Sequence, residues 1–85
     1  IGFHWYETWT GGEPMFSSLG NLKESYPDKN LVFTEGCNES FDAEKYQYWP
    51  NAERYGRSMI NDFNQGTVAW TDWNILLDET GGPNQ

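Results

Sequence analysis

Strand-like and helix-like segments alternate along this chain of 85 residues, and that alternation is the feature that most limits its fold. Apolar and β-branched runs predict strands near residues 1–6, 30–35 and 67–72. Helical spacing of apolar residues predicts helices near 14–26 and 52–64. Strands that alternate with helices favour a parallel sheet with right-handed crossovers, and we expect both helices on one side of it. The predicted fold class is therefore α/β, with the order βαβαβ.

The two predicted helices have recognisable limits and faces. Pro14 suits the first turn of a helix because its missing N–H costs nothing there. Gly66 is placed to cap the second helix. One face of that helix carries Ala52, Tyr55, Met59, Ile60 and Phe63. Three strands and two helices are too few to close a barrel, which usually needs about eight of each in about 250 residues, so two sheet edges would stay unpaired.

Each predicted strand runs into side chains that could act on a ligand. The second strand ends in Glu35, the first leads into His4 and Tyr6, and the third leads into the run Trp-Thr-Asp-Trp-Asn at 70–74. The carboxyl ends of parallel strands meet at one edge of a sheet, which is where (β/α) barrels place their chemistry. Acid, imidazole, phenol and indole groups that converge there suggest a sugar site.

Glu35 can be interpreted in two ways: as a surface acid at a strand end, or as the nucleophile of a glycosidase. A nucleophilic carboxylate attacks an anomeric carbon and forms a glycosyl-enzyme, while a second carboxylic acid protonates the leaving oxygen. In retaining enzymes these two carboxyl groups lie about 5–5.5 Å apart. Gly36 would leave the acid at the strand tip with room for close approach.

The first strand is expected to place two polar rings next to Glu35. Alternate residues of a strand share a face, so His4 and Tyr6 would point together while Trp5 points away into the core. The Tyr6 hydroxyl could donate a hydrogen bond to Glu35. His4 could do the same or hold a sugar hydroxyl.

The third strand offers two indole rings. If it stays extended, Trp70, Asp72 and Asn74 share one face and Trp73 lies on the other, whereas a bulge would change which rings face the site. Indole rings stack on the C–H face of a sugar, so Trp70 and Trp73 are candidate substrate-binding residues. At least one of them is expected to pack in the wall of the fold instead. Asp72 and Asn74 would support the site through hydrogen bonds.

The charge and composition of the chain argue against several classes of function. A net charge of −8 argues against nucleic acid, because phosphate binding needs clustered Lys and Arg, and against an anionic membrane surface. No apolar run approaches the roughly 18 residues of a transmembrane helix. One cysteine and one histidine give no sign of a metal site, and no cofactor motif is visible. A neutral glycan remains compatible with the 18% aromatic content.

Four motifs resemble, in order and spacing, the last part of the catalytic barrel of glycoside hydrolase family 30, the glucosylceramidase-like enzymes. They are His-Trp-Tyr at 4–6, Thr-Glu-Gly-Cys at 34–37, Trp-Thr-Asp-Trp-Asn at 70–74 and Gly-Gly-Pro-Asn at 81–84. The resemblance implies a partial (β/α)8 TIM barrel over residues 1–85, equivalent to strands six to eight. It also implies a retaining mechanism with Glu35 as the nucleophile, and a sugar subsite lined by Tyr6 and Trp73.

The sequence departs from the family pattern in one way that matters for catalysis. The family's acid/base glutamate lies in an Asn-Glu-Pro type motif on an earlier strand, which this sequence lacks, and the run Asn-Glu-Ser at 38–40 follows the nucleophile strand. We therefore expect the remainder of the barrel, as a partner, to carry that acid. The 85-residue chain alone is expected to be inactive.

The substrate and the class of function stay open between several alternatives. Where the mammalian-type glucosylceramidases commonly have Ser-Glu-Ala, this chain has Thr34-Glu35-Gly36, so a bacterial β-glucanase or β-glucosidase is a candidate as well. A β-1,6-glucanase and a glucosylceramidase-like enzyme are the two rival activities on a glucan or glucoside. A non-catalytic carbohydrate-binding module is the alternative from another class, and a structural fragment without independent function is the third. A secreted or periplasmic location is compatible with each of them.

Overall fold

The computed structural model of the chain describes residues 1–6, 12–37, 44, 47–80 and 82. The run at 38–40 and most of the Gly-Gly-Pro-Asn motif at 81–84 lie outside these residues. The predictions made for those two runs are therefore carried by the sequence alone.

The described elements follow the predicted order. They are β1 (Gly2–His4), α1 (Phe16–Ser25), β2 (Leu31–Glu35), α2 (Trp49–Asn64) and β3 (Thr67–Trp70). The sheet has the order β1-β2-β3, and both strand pairs are parallel. The predicted parallel βαβαβ arrangement is confirmed.

The first helix starts later than predicted and the second starts earlier. Pro14 lies outside α1, whose N-cap is Met15. In α2, by contrast, a proline does occupy the first turn, and the helix begins at Trp49 instead of residue 52. Pro50 fits there because its fixed φ angle suits a helix and its missing N–H has no partner to lose.

Gly66 ends α2 as predicted. Its φ angle is 98°, a left-handed conformation that favours glycine. Its N–H donates to the carbonyl of Phe63 at 3.1 Å, which satisfies one of the free carbonyls at the helix end. This turn leads the chain directly into β3.

Both helices lie on the same face of the sheet. The Trp5 ring packs edge-on against Phe16 of α1, with the ring centroids 5.3 Å apart. The same indole donates from its Nε1 to Asp62 of α2 at 2.7 Å. Because one side chain beyond β1 contacts both helices, the prediction that they share a side is confirmed.

The core lies between this face and the helices. Leu31 and Phe33 of the central strand are 0% and 3% exposed, and Leu19 of α1 is 4% exposed. Phe33 belongs to an aromatic cluster, a set of rings linked by direct contacts. Its members are Phe3, Trp5, Phe16, Phe33, Tyr55 and Trp70. Small chains bury little surface, so these rings supply much of the packing that is available.

The opposite face of the sheet carries His4 and Thr34, both exposed. The His4 Nε2 and the Thr34 Oγ1 are 2.8 Å apart. A Cβ on Gly2 would lie 3.0 Å from Thr34 Cγ2, which places Gly2 on this face as well. The sheet is therefore covered by helices on one face, while these residues of the other face remain open.

The packed face of α2 differs from the apolar face read from the sequence. Ile60 and Phe63 are 63% and 47% exposed, whereas Asp62 is 0% exposed. Burial of a carboxylate requires strong hydrogen-bond partners, and Asp62 has them in two indole N–H groups.

Candidate functional site

An irregularity in the central strand shapes the carboxyl edge of the sheet. Phe3 pairs with Phe33, but the next residue, His4, pairs with Glu35, so β2 contains one more residue than β1 at this point. A bulge of this kind bends a strand and redirects its side chains. Here it leaves Thr34 in contact with His4 and sets Glu35 at the strand tip.

Tyr6 donates a hydrogen bond from its hydroxyl to the Glu35 Oε1. Both residues are half-buried, so the carboxylate keeps contact with solvent while one of its oxygens is held. The His4 and Tyr6 rings meet edge-to-face with centroids 5.5 Å apart. The structure thus brings Tyr6 to Glu35 and orients His4 through Tyr6 and Thr34.

A second irregularity lies at β3. Leu31 pairs with Thr67, whereas Val32 pairs with Ala69, so Val68 is the additional residue in β3. This shift puts Trp70 opposite Phe33, and their rings stack with centroids 4.3 Å apart and an interplanar angle of 14°. The Trp70 Nε1 donates to Asp62 Oδ2 at 3.1 Å.

The Trp70 ring lies in the aromatic cluster, and its Cη2 end approaches the backbone of Gly36, directly after Glu35. These contacts are those of the packing role expected for at least one of the two indoles. Sugar stacking by Trp70 and by Trp73 stays a prediction.

Trp73 follows β3 at the same edge as Glu35. Its backbone N–H donates to the Gly36 carbonyl at 2.7 Å, and Thr71 N–H donates to the Phe33 carbonyl at 2.9 Å. The chain therefore continues alongside β2 past the end of the strand. Trp73 is 41% exposed, so its ring is available for contact.

Asp72 ties this segment to α2. Its Oδ1 accepts a hydrogen bond from the Tyr55 hydroxyl at 3.1 Å and another from the Trp73 N–H at 3.0 Å. Burial of Tyr55, and then the charge of Asp72, raise the pKa of the Tyr55 hydroxyl, which therefore stays a donor. These contacts agree with a supporting role for Asp72. Asn74, two residues further along the chain, is exposed.

Gly36 sits where the chain passes over the aromatic cluster. A Cβ at this position would lie 2.6 Å from Phe33 Cε1 and 3.2 Å from Trp70 Cη2. No side chain fits at that distance, so glycine allows the backbone after Glu35 to rest on the two stacked rings.

Sequence reasoning missed Asp62, and it placed Tyr55 on the packed face of the second helix without its contact to Asp72. Asp62 and Tyr55 lie on α2, seven positions apart, and therefore on one face of the helix. Burial raises the pKa of the Asp62 carboxyl, and the hydrogen bonds from Trp5 and Trp70 oppose that rise. The available signal was an acid placed among the apolar residues of the helix.

Among the residues that the structure describes, no three His, Cys, Asp or Glu side chains group closely enough to hold a metal ion. No helix there has the length and apolar character needed to cross a membrane.

Comparisons with known proteins agree on one family. A family model described as the glycosyl hydrolase family 30 TIM-barrel domain matches residues 1–85. Putative glucosylceramidase 4 of Caenorhabditis elegans is 37% identical over 99% of this chain. Lysosomal acid glucosylceramidase of Mus musculus is 31% identical over 99% of it. The chain spans 16% of the length of each of these two relatives.

A solved structure shares the fold as well. The crystal structure of SrfJ from Salmonella typhimurium superposes with a TM-score of 0.72 at 38% sequence identity. The match covers 98% of this chain and 17% of that one. The family match over the whole chain and these relatives agree with the motifs at the strand ends, and the chain belongs to glycosyl hydrolase family 30.

Proposed function

We propose that this chain is a segment of a retaining β-glycosidase and that Glu35 is its catalytic nucleophile. The observation that carries the proposal is the hydrogen bond from Tyr6 to Glu35 at the carboxyl edge of a parallel sheet. Family membership adds a glycosidase context. A sugar ring over this edge would meet the carboxylate, the Tyr6 hydroxyl and the indole of Trp73.

The proposed reaction has two steps. In the first, a Glu35 oxygen forms a bond to the anomeric carbon, the glycosidic C–O bond breaks, and the leaving oxygen takes a proton from a second carboxylic acid. In the second, that carboxylate removes a proton from water, the water oxygen bonds to the anomeric carbon, and the ester to Glu35 breaks. Two inversions give net retention.

Tyr6 and His4 have distinct parts in this scheme. The Tyr6 hydroxyl holds the Oε1 of Glu35, and the other carboxylate oxygen would make the attack. The His4 ring, in edge contact with Tyr6, limits the movement of the phenol and offers a polar edge to a sugar hydroxyl.

The second carboxylic acid would come from the remainder of the barrel. Asp72 is poorly suited to that task, because its Oδ1 already accepts from Tyr55 and from the Trp73 backbone. We place the three strands at positions six to eight of the complete barrel. The open face with His4 and Thr34 would then line the barrel interior, and β1 and β3 would pair with neighbouring strands.

The proposed substrate is a β-glucoside. The names of the relatives, glucosylceramidases in Caenorhabditis elegans and Mus musculus, support a glucosyl group on the non-reducing side. A β-1,6-glucanase is the alternative activity. The two differ on the aglycone side, and hydrolysis of glucosylceramide against a β-1,6-linked glucan separates them.

The first test uses the complete enzyme that carries this segment. It should hydrolyse an aryl β-glucoside, and proton NMR of the first product should show the β-anomer, since the mechanism retains configuration. The 85-residue chain alone should show no hydrolysis, because the leaving group lacks its acid. Release of the α-anomer would exclude a nucleophilic role for Glu35. Turnover by the isolated chain would place the second acid within it.

Tyr6→Phe should lower kcat of the complete enzyme by about tenfold to a hundredfold and change KM little. The substitution keeps the ring but removes a hydrogen bond to a charged group, and such bonds are worth about 1.5–3 kcal/mol. Tyr26→Phe is the matched control, because Tyr26 is 53% exposed at the end of α1. If kcat is the same in Tyr6→Phe and Tyr26→Phe, the Tyr6 hydroxyl does not assist Glu35.

A further inference from the structure

Asp62 is the buried charge for which the proposed reaction gives no reason. It lies on α2, is 0% exposed, and accepts one hydrogen bond on each carboxylate oxygen. Trp5 Nε1 reaches Oδ1 at 2.7 Å, and Trp70 Nε1 reaches Oδ2 at 3.1 Å. A buried carboxylate is costly unless its oxygens are satisfied, and here each oxygen accepts a hydrogen bond from an indole.

The two indoles come from opposite edges of the sheet. Trp5 follows β1 and Trp70 ends β3, while β2 lies between those strands. An indole N–H can only donate, so each of the two requires an acceptor. Asp62 supplies both acceptors from one side chain and so connects the ends of the two outer strands. An asparagine offers a single acceptor oxygen and could satisfy only one indole.

Each indole adjoins a part of the candidate site. Trp5 is the residue directly before Tyr6, whose hydroxyl holds Glu35. Trp70 stacks on Phe33, and both rings lie beneath the backbone of Gly36, directly after Glu35. A shift of either indole would therefore move Tyr6 or the chain that carries the carboxylate.

We propose that Asp62 is a positioning residue, which holds Trp5 and Trp70 so that Tyr6 and Glu35 meet in the geometry needed for attack. It acts through the two indoles and does not itself touch the sugar. The inference rests on the proposed function, because it concerns the attack by Glu35.

The test replaces Asp62 by Asn in the complete enzyme. The amide keeps the size and shape of the side chain but loses one acceptor, so one indole must shift or lose its hydrogen bond. A displacement of about 1 Å near the reacting atoms can reduce the rate by on the order of a hundredfold. We expect kcat per active site to fall tenfold or more by this argument, with KM nearly unchanged.

The readouts must separate positioning from stability. Labelling with a 2-fluoro glycoside inactivator, followed by mass spectrometry, counts the active sites that form the covalent adduct. The rate of that labelling should fall in parallel with kcat, because both depend on attack by Glu35. A residue that only stabilises the fold would reduce the number of active sites and leave the rate per site unchanged.

The same helix provides a matched control. The Glu53 Oε1 accepts a hydrogen bond from Trp49 Nε1 at 3.1 Å, an exposed pair between a carboxylate and an indole. Glu53→Gln should leave both kcat and the labelling rate at the level of the unaltered enzyme. It makes the same change from acid to amide, away from the strand ends.

Trp5→Phe leaves Asp62 in place and keeps the proposal testable if Asp62→Asn folds poorly, since its kcat and labelling rate per active site should also fall. Trp5→Phe removes one donor, so in the double variant a single acceptor again meets a single indole. The double variant should therefore lose less activity than the product of the two single losses, a coupling that double-mutant cycles measure.

Three outcomes distinguish the two proposals. If the unaltered enzyme turns over no β-glucoside, the proposed function fails, and the role of Asp62 in it fails with it. If the enzyme is active but Asp62→Asn keeps the full rate per active site, only the positioning role is overturned. A loss in Glu53→Gln equal to that in Asp62→Asn would also overturn it.

Discussion

Glu35→Gln in the complete enzyme should abolish turnover of an aryl β-glucoside while the substrate still binds. The amide keeps the shape of the side chain and can still meet the Tyr6 hydroxyl, but it cannot attack an anomeric carbon. Loss of a nucleophile typically costs several orders of magnitude in kcat, roughly 4 kcal/mol or more of transition-state stabilisation. A chromogenic assay measures the rate, and calorimetry with the intact substrate measures binding.

The same experiment identifies the residue that carries the sugar. A 2-fluoro glycoside should leave a covalent adduct on the peptide that contains Glu35, and Glu35→Gln should leave none. Glu24→Gln is the control, since Glu24 is an exposed acid on α1, outside the carboxyl edge of the sheet. An adduct on another residue would rule out the nucleophile assignment, and so would normal turnover by Glu35→Gln.

The order of the elements could be predicted because the signals that define it are local. Apolar runs with period two and helical spacing each depend on neighbouring residues, and the strand order follows from the rule for parallel crossovers. The position of Glu35 at a strand end could be predicted for the same reason. The contact between Tyr6 and Glu35 needed one further step, the parallel pairing of β1 with β2.

The packing of the Trp70 ring in the aromatic cluster could not be predicted from the sequence. It depends on the shift in β3, where Val68 is the additional residue, and a shift of one residue turns every later side chain to the other face. Whether a strand bulges is decided by its partner strand. The sequence could only indicate that at least one of the two indoles would pack in the wall of the fold.

Asp62 was missed for a related reason. Hydropathy places an aspartate on the solvent side of a helix, because an isolated buried carboxylate is unfavourable. Its two donors lie 57 and 8 positions away along the chain, so their presence becomes visible only in the fold. In the sequence, the contacts of Asp62 with the two indoles are indicated by the presence of an acid among the apolar residues of α2.

Phe33→Ala should destabilise the complete enzyme by about 3–5 kcal/mol, the usual cost of removing a buried phenylalanine ring. Phe33 is 3% exposed in the central strand, its ring stacks on Trp70, and it meets Phe3 with centroids 5.5 Å apart. The cavity would lie beneath Gly36, so kcat should also fall at temperatures where the protein remains folded. Urea unfolding followed by tryptophan fluorescence measures the first effect, and an aryl β-glucoside assay measures the second.

The control for this prediction is a phenylalanine on α2 whose side chain stays partly exposed to solvent. Phe63 is 47% exposed, so Phe63→Ala should cost much less than Phe33→Ala. Phe33→Leu should fall between them, because leucine refills part of the cavity. Equal losses in Phe33→Ala and Phe63→Ala would mean that the remainder of the barrel covers Phe63. A small loss in Phe33→Ala would mean that the stacked rings do not support the strand end that carries Glu35.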